Sequence, residues 1–218
     1  MMSRYPALWI WMSFLSLWAC HTATDQAADT DFENLVETYE PKDRDVWQKP
    51  EVIFRLMGDL SGKVVADVGA GTGYFSLRLA PRARRVLALE IDPRFIHYID
   101  SVKQVQLADS VIARLETRLV QPDDPLLKPG EVDYVLIVNT LGYIEAPEAY
   151  LRKLKAGMKQ GGRVLIVDYR PHTRQAFAKF RISKETVEDA LRRAGFERLL
   201  TDNMTLDYQY IILAEKRE

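Results

Sequence analysis

The sequence predicts an α/β fold, a mostly parallel sheet with helices on both faces, and three observations carry that reading. The stretch from Lys63 to Ala80, KVVADVGAGTGYFSLRLA, passes from a short apolar run through a glycine-rich turn into a helix with Phe75, Leu77 and Leu79. Such an order is the first half of a βαβ unit with a ligand at the turn. Further apolar runs, Val86 to Leu89, Val132 to Val138 and Val164 to Val167, alternate with segments of helical periodicity. The composition is that of an ordinary globular protein: 218 residues, 47% hydrophobic, 28% charged, net charge −1. One domain with a full core is expected at this length, and no internal repeat is visible.

The spacing of the turn selects its ligand. A dinucleotide fingerprint reads G-x-G-x-x-G, with the third glycine placed so that a helix start can meet a pyrophosphate. Here Gly69, Gly71 and Gly73 fall as G-x-G-x-G and Tyr74 stands where that third glycine would be, which disfavours a nicotinamide-binding half. Glu90 closes the next strand, where a carboxylate accepts both hydroxyls of a ribose, and Asp67 adds a second acid beside the turn. Two acids around a glycine turn repel a pyrophosphate and suit a cationic nucleoside. S-adenosylmethionine, with a sulfonium and an ammonium group, fits.

The run Asp67-Val68-Gly69-Ala70-Gly71-Thr72-Gly73 resembles the first motif of the class I S-adenosylmethionine-dependent methyltransferases, and Glu90 resembles the acid that ends their second strand. The resemblance continues through Asp133-Tyr134-Val135-Leu136-Ile137-Val138, Leu154 and Gly161-Gly162-Arg163 to Asp168, covering about Trp47 to Lys216. It implies a Rossmann-like fold with a seven-stranded, mostly parallel sheet and an antiparallel C-terminal strand. It also implies S-adenosylmethionine as cofactor, held by Asp67, Gly69, Gly71, Gly73 and Glu90.

The N-terminus reads separately. Arg4 precedes an apolar stretch from Tyr5 to Ala19, short for a membrane span and right for a signal-peptide core. It ends in Leu17-Trp18-Ala19-Cys20, which resembles a bacterial lipoprotein cleavage box with Cys20 as the lipidated residue. The alternative is a small hydrophobe at the end of an apolar helix. Asp25, Asp29, Asp31, Glu33 and Glu37 follow before any Lys or Arg, which sends the domain outward. The expectation is a leader over 1–20, a polar tether and lid helix over 21–45, and a methyltransferase domain over 46–218. The protein would then be exported and membrane-anchored on the periplasmic side, or cytoplasmic if the apolar segment is not a leader.

In chain order, Phe32, Leu35, Val36 and Tyr39 recur at helical spacing, followed by Arg44, Trp47 and Pro50. The resemblance makes Tyr39, Arg44 and Trp47 lid candidates over the cofactor; the alternative is packing at the sheet edge. A helix is predicted from Glu51 to Leu60. Asp92 caps and Pro93 opens another, with Phe95, Ile99 and Val102 inward. A third strand from Ala113 to Val120 leads to Gln121-Pro122-Asp123-Asp124-Pro125, where the resemblance implies an adenine contact. Asp123, Asp124 or Gln121 would make it, unless the segment is turn chemistry only. The fourth strand ends in Asn139-Thr140-Leu141-Gly142-Tyr143. Pro147 starts a helix with Leu151, Leu154 and Met158 inward, ended by Gly161-Gly162. Asp168-Tyr169-Arg170-Pro171-His172 leaves the fifth strand. Ser183 caps a last helix with Val187, Ala190, Leu191 and Ala194 on one face, and Phe196 to Thr201 pairs with Tyr208 to Ala214.

Function classes narrow accordingly. Duplex binding needs clustered Lys and Arg; Arg82, Arg84 and Arg85 are a short solvated run, so no nucleic-acid partner is expected. The place after the fourth strand lacks the Asn-Pro-Pro-Tyr variant common in enzymes that methylate base amines. Cys20 is the single cysteine, which excludes thiol-relay chemistry in the domain, and no metal is expected. The reading is methyl transfer to a small-molecule acceptor, with Asn139, Tyr143, Tyr169 and His172 as catalytic candidates. The alternative is a non-catalytic ligand-binding lipoprotein that keeps the fold.

Overall fold

A computed structural model of the chain describes residues 30–171, 173 and 180–217. The expected leader, with Cys20, and His172 lie outside them. The chain divides into two compact units, Met1–Tyr39 and Glu40–Glu218. In the first, residues 30–39 are helical (α1), with the Thr38 hydroxyl donating to Asn34 O at 2.8 Å. Among the described residues no helix is long and apolar enough to cross a membrane.

The second unit is built on strands β1 (Val64–Val68), β2 (Arg85–Glu90), β3 (Leu115–Leu119), β4 (Val132–Val138), β5 (Met158–Tyr169), β6 (Phe196–Asp202) and β7 (Gln209–Lys216). They form one seven-stranded sheet in the order β3-β2-β1-β4-β5-β7-β6. The pairs β1–β2, β1–β4, β2–β3 and β4–β5 are parallel, and β7 is antiparallel to both of its neighbours. Central parallel strands are covered on both faces, which is why β1 and β2 read as apolar runs with no alternation.

Alternate residues nonetheless feed opposite cores. Ala66, Leu87, Val135 and Ile166 pack with Leu151 and Leu154 of α7 (Pro147–Gly157) and Val187 and Leu191 of α8 (Lys184–Arg193). Val65, Val86, Leu136 and Val167 pack with Ile53 and Phe54 of α3 (Pro50–Met57), Phe75 and Leu77 of α4 (Tyr74–Leu79) and Ile99 of α5 (Pro93–Gln106). Two helix starts are capped as their sequences predict: Asp92 accepts from Arg94 N at 2.9 Å and Ser183 Oγ from Thr186 N at 3.2 Å.

The boundaries differ from the sequence reading in instructive places. The helix after Pro147 ends at Gly157, and Met158 already belongs to β5, so Gly161 and Gly162 lie inside the strand and do not terminate the helix. Gly161 has φ +71°, and a Cβ at Gly162 would sit 2.8 Å from Lys159 O and 3.1 Å from Asp133 O. Glycine here permits an irregular strand start with backbone against backbone. Lys49, at φ 48°, separates α2 (Arg44–Gln48) from α3, which therefore begins before Glu51 and stops short of Leu60. The third strand starts two residues late because Arg114 N closes a turn onto Val111 O after the short α6 (Asp109–Ile112). The terminal strands are slightly longer or shifted, reaching Asp202 and Lys216.

At the β3 edge the charges are interlocked. Arg118 donates to Glu131 Oε1 and to Glu116 Oε1, each at 2.8 Å, and Arg85 pairs with the same Glu116.

Candidate active site at the carboxyl ends of the strands

Backbone builds the turn after β1. Gly69 N and Ala70 N donate to Leu89 O at 2.9 and 3.1 Å, and Gly71 N donates to Glu90 Oε2 at 2.8 Å. The other oxygen of Glu90 accepts from Ile91 N at 2.7 Å and Asp92 N at 3.1 Å. All three glycines have positive φ, +70°, +54° and +80° in order. A Cβ at Gly69 would lie 2.4 Å from the Thr140 side chain, so this glycine is demanded by the chain's own packing as well as by its dihedral.

Asp67 is buried beneath the turn and accepts from Ser76 Oγ at 2.6 Å. Burial pushes its carboxyl up to about 6, while the Ser76 hydrogen bond and the Arg44 guanidinium hold it down from going further. Ser76 was not among the residues singled out from sequence.

Segment Glu40–Pro50 crosses this edge from the other side. Glu40 bonds the Thr72 hydroxyl within the turn and pairs with Arg44 at 3.4 Å. The Arg44 guanidinium sits 3.8 Å from the centre of the Tyr74 ring. Burial lowers the pKa of Arg44, with Glu40 opposing. Trp47 is buried, its ring 6.1 Å from that of Tyr169 and 6.4 Å from that of Tyr208. Gln48 Nε2 donates to Gln209 Oε1 at 3.1 Å, and Gln209 Nε2 to Asn139 Oδ1 at 2.6 Å.

Of the lid candidates, Arg44 and Trp47 thus meet residues of the strand ends, and Tyr39 belongs to the other unit. Of the catalytic candidates, Asn139 and Tyr169 reach this cluster. Tyr143 is about half exposed and packs edge-on to Phe180 at 5.1 Å. Val120 N donates to Glu90 O at 2.9 Å, so the loop after β3 starts beside Glu90. Within that loop Asp123 pairs with Lys153 at 3.1 Å, Asp124 with the same lysine at 3.3 Å, and Gln121 is exposed.

Sequence reasoning missed several members. Glu40 and Gln48 stand four residues either side of the lid candidate Arg44, and that spacing was a usable signal. Gln209 and Thr72 carried none. Asp168 was noted only as a strand end. Its Oδ1 accepts from Tyr169 N at 2.8 Å, the carboxyl group also faces the Gly142 N–H, and Oδ2 is buried without a hydrogen-bond partner among the described residues. Burial pushes this carboxyl up to about 7. A groove of about 560 Å³ between α7 and α8, lined by Glu148, Arg152, Glu185 and Arg193, lies away from all of these groups.

Comparison with known proteins agrees with this architecture. Residues 66–164 match a family described as a methyltransferase domain. The chain is 32% identical over 97 residues to the magnesium-protoporphyrin O-methyltransferase of Rhodobacter capsulatus, covering 44% of this chain and 41% of that protein. It is 31% identical over 112 residues to the ribosomal RNA small subunit methyltransferase A of Koribacter versatilis, covering 48% and 39%. It spans about two fifths of the length of these curated relatives. The crystal structure of an S-adenosylmethionine-dependent methyltransferase from Aquifex aeolicus superposes with a TM-score of 0.73 at 19% identity, covering 85% of this chain and 97% of that one. Domain match, sheet order and glycine turn agree: residues 66–164 match a methyltransferase domain, and the sheet shares the fold of the Aquifex aeolicus methyltransferase structure.

Proposed function

We propose that the protein transfers a methyl group from S-adenosylmethionine to a small-molecule acceptor. The observation that carries this reading is the acidic glycine turn, with Glu90 bracing Gly71 and Asp67 buried beneath. The residues present fit the cofactor. Carboxylates at Asp67 and Glu90 suit its cationic groups, and Glu90, with three backbone donors on about four lone-pair sites, keeps capacity for a ribose hydroxyl. Arg44 offers a planar guanidinium for a carboxylate. Asp123, Asp124 or Gln121 would take the adenine amine.

When bound, the cofactor supplies an electrophilic methyl group on a sulfonium. The chain's part is to align an acceptor lone pair with it and to exclude water. Trp47, Tyr169 and Tyr208 give that side of the edge an aromatic wall, and holding the reacting atoms in line can account for much of the acceleration. Asn139, Tyr143, Tyr169 and His172 remain the catalytic candidates. A relative named for ribosomal RNA keeps RNA among the acceptor classes to be tested, but the even charge balance favours a small molecule. Export and anchoring through Cys20 belong to the same reading, supported by the leader-like pattern of 1–20.

The test is calorimetric titration with S-adenosylhomocysteine, then extracts incubated with labelled methyl donor. Binding by the parent and labelling of a low-mass product are expected. A parent that does not bind S-adenosylhomocysteine overturns the reading, and label in RNA overturns the small-molecule part. For the leader, mass added at Cys20 and sedimentation with membranes are expected in a Gram-negative host; an unmodified Cys20 overturns export by this route.

A further inference from the structure

We infer that Asn139 is a donor-only anchor for an oxygen atom of the methyl acceptor, with its orientation imposed by a one-way chain of hydrogen bonds that begins at Arg44. The inference rests on the methyltransferase reading and deepens it by naming the acceptor's chemical class: a molecule that places a carbonyl, carboxylate or phenolate-type oxygen at the end of β4.

A guanidinium has donors and no acceptor. Arg44 Nε donates to Gln48 Oε1 at 3.0 Å, and this fixes which end of the Gln48 amide faces the arginine. The NH2 end must then face Gln209, as it does at 3.1 Å. Gln209 Oε1 is thereby taken, its own NH2 faces Asn139 Oδ1 at 2.6 Å, and the Asn139 NH2 is left pointing away from the chain. The two ends of a side-chain amide are ordinarily assigned from their neighbours; here an obligate donor at one end assigns every amide in the series. Gln48 is 0% and Gln209 1% exposed, so water cannot repair a reversed amide. Reversal would set N–H against N–H or oxygen against oxygen in the interior.

Asn139 differs from its two partners in being only partly buried, at φ 55° just past the end of β4, with its backbone N–H spent on Val167 O at 2.8 Å. No partner for its Nδ2 is present among the described residues. The donor face therefore lies at the carboxyl end of β4, at a position that is only partly buried. Chained hydrogen bonds polarise one another, and a cation at the head strengthens the donors at the tail. Such a face accepts an oxygen lone pair and repels an ammonium group. The Oδ1 of Asn139 is turned inward onto Gln209 and an amide is no base, so Asn139 positions and stabilises an oxyanion and takes no proton; Gln48 and Gln209 are positioning residues.

The chain is tested by nuclear magnetic resonance of the side-chain amides in 15N-labelled protein, free and with S-adenosylhomocysteine. The NH2 protons of Gln48 and Gln209 should be protected from solvent exchange and those of Asn139 should exchange freely. Benzoate and benzylammonium, alike in size, are then titrated. Benzoate should shift the Asn139 NH2 signals and bind at least tenfold more tightly. Gln209→Glu removes the inward donor and turns Asn139 around; Asn139→Asp keeps the bond from Gln209 but presents oxygen. Each should cut the benzoate preference at least tenfold. If Gln209→Glu fails to fold, the partly exposed Asn139→Asp and the exchange pattern of the parent still decide. A protected Asn139 NH2, a parent preferring benzylammonium, or an unchanged preference in Asn139→Asp overturns the inference. Failure to bind S-adenosylhomocysteine overturns the function instead, and the exchange pattern of the free protein judges the chain independently of it.

Discussion

Around the glycine turn the site is held by backbone: Gly69 and Ala70 bond to Leu89 O, and Gly71 bonds to a carboxylate 19 residues away. At the β4–β5 end it is held by side chains, Gln48 to Gln209 across 161 residues and Gln209 to Asn139 across 70. The difference separates what each half can tolerate. A backbone-built site depends on its glycines and on the two acids beside them, Glu90 and Asp67. A side-chain relay depends on every member, and Gln48, Gln209 and Asn139 come from three separate stretches of the chain.

The largest expected effect breaks the second half alone. Trp47→Ala removes a buried ring from against Tyr169 and Tyr208 and should cost about 3–5 kcal/mol by denaturant unfolding. Under conditions where the variant is folded, its S-adenosylhomocysteine affinity should stay within about threefold of the parent, roughly 0.7 kcal/mol. A loss of affinity parallel to the loss of stability would merge the two halves.

Gly69→Ala attacks the first half. The left-handed backbone costs about 1–3 kcal/mol for a residue with a side chain, and the contact with Thr140 adds to it. Thr140→Ala in the same chain should recover part of the stability; no recovery would show that the dihedral, and not the contact, is what demands glycine. Glu90→Ala should cost about 1.5–3 kcal/mol in cofactor affinity, at least tenfold for S-adenosylhomocysteine. Equal binding by variant and parent would remove Glu90 from the site.

The smallest effect depends on pH. Asp168 titrates near 3.8 unfolded and is pushed up to about 7 in the fold by burial. The folded state therefore holds a proton that the unfolded state has released. The stability penalty is absent below about pH 4, grows as pH rises, and is complete above about 7. Asp168→Asn should thus raise the thermal midpoint at pH 8 and leave it nearly unchanged at pH 4, with a gain of about 1–3 kcal/mol after allowing for relaxation around the carboxyl. The same gain at both pH values would mean that packing, and not charge, is responsible. Asp67, pushed to about 6, should show the same sign over a narrower window.

The sheet, its helices and the glycine turn were legible because each is written in contiguous residues: an apolar run, Gly at 69, 71 and 73, an acid at 90. Asp92 and Ser183 announced their helices for the same reason. Met158 misled because Leu151, Leu154 and Met158 keep helical spacing, yet the chain leaves the helix at Gly157 and pairs Met158 with Val132. Gln209 could not be found from sequence. It is a polar residue at a strand start, and its meaning comes from Gln48 and Asn139, brought to it only by the order in which β4, β5 and β7 pair.

The interlocked charges at the β3 edge bear on how the protein behaves in bulk. A terminal strand exposes unpaired N–H and C=O groups along its length and can recruit another sheet into edge-to-edge growth. Glu116 and Arg118 on β3, tied to Arg85 and Glu131, clothe that margin with paired charges that an incoming strand would have to strip of water. Solubility is therefore tied to residues far from the reaction. Neutralising them, for instance by Arg118→Met, should leave catalysis alone and bring on turbidity at high protein concentration.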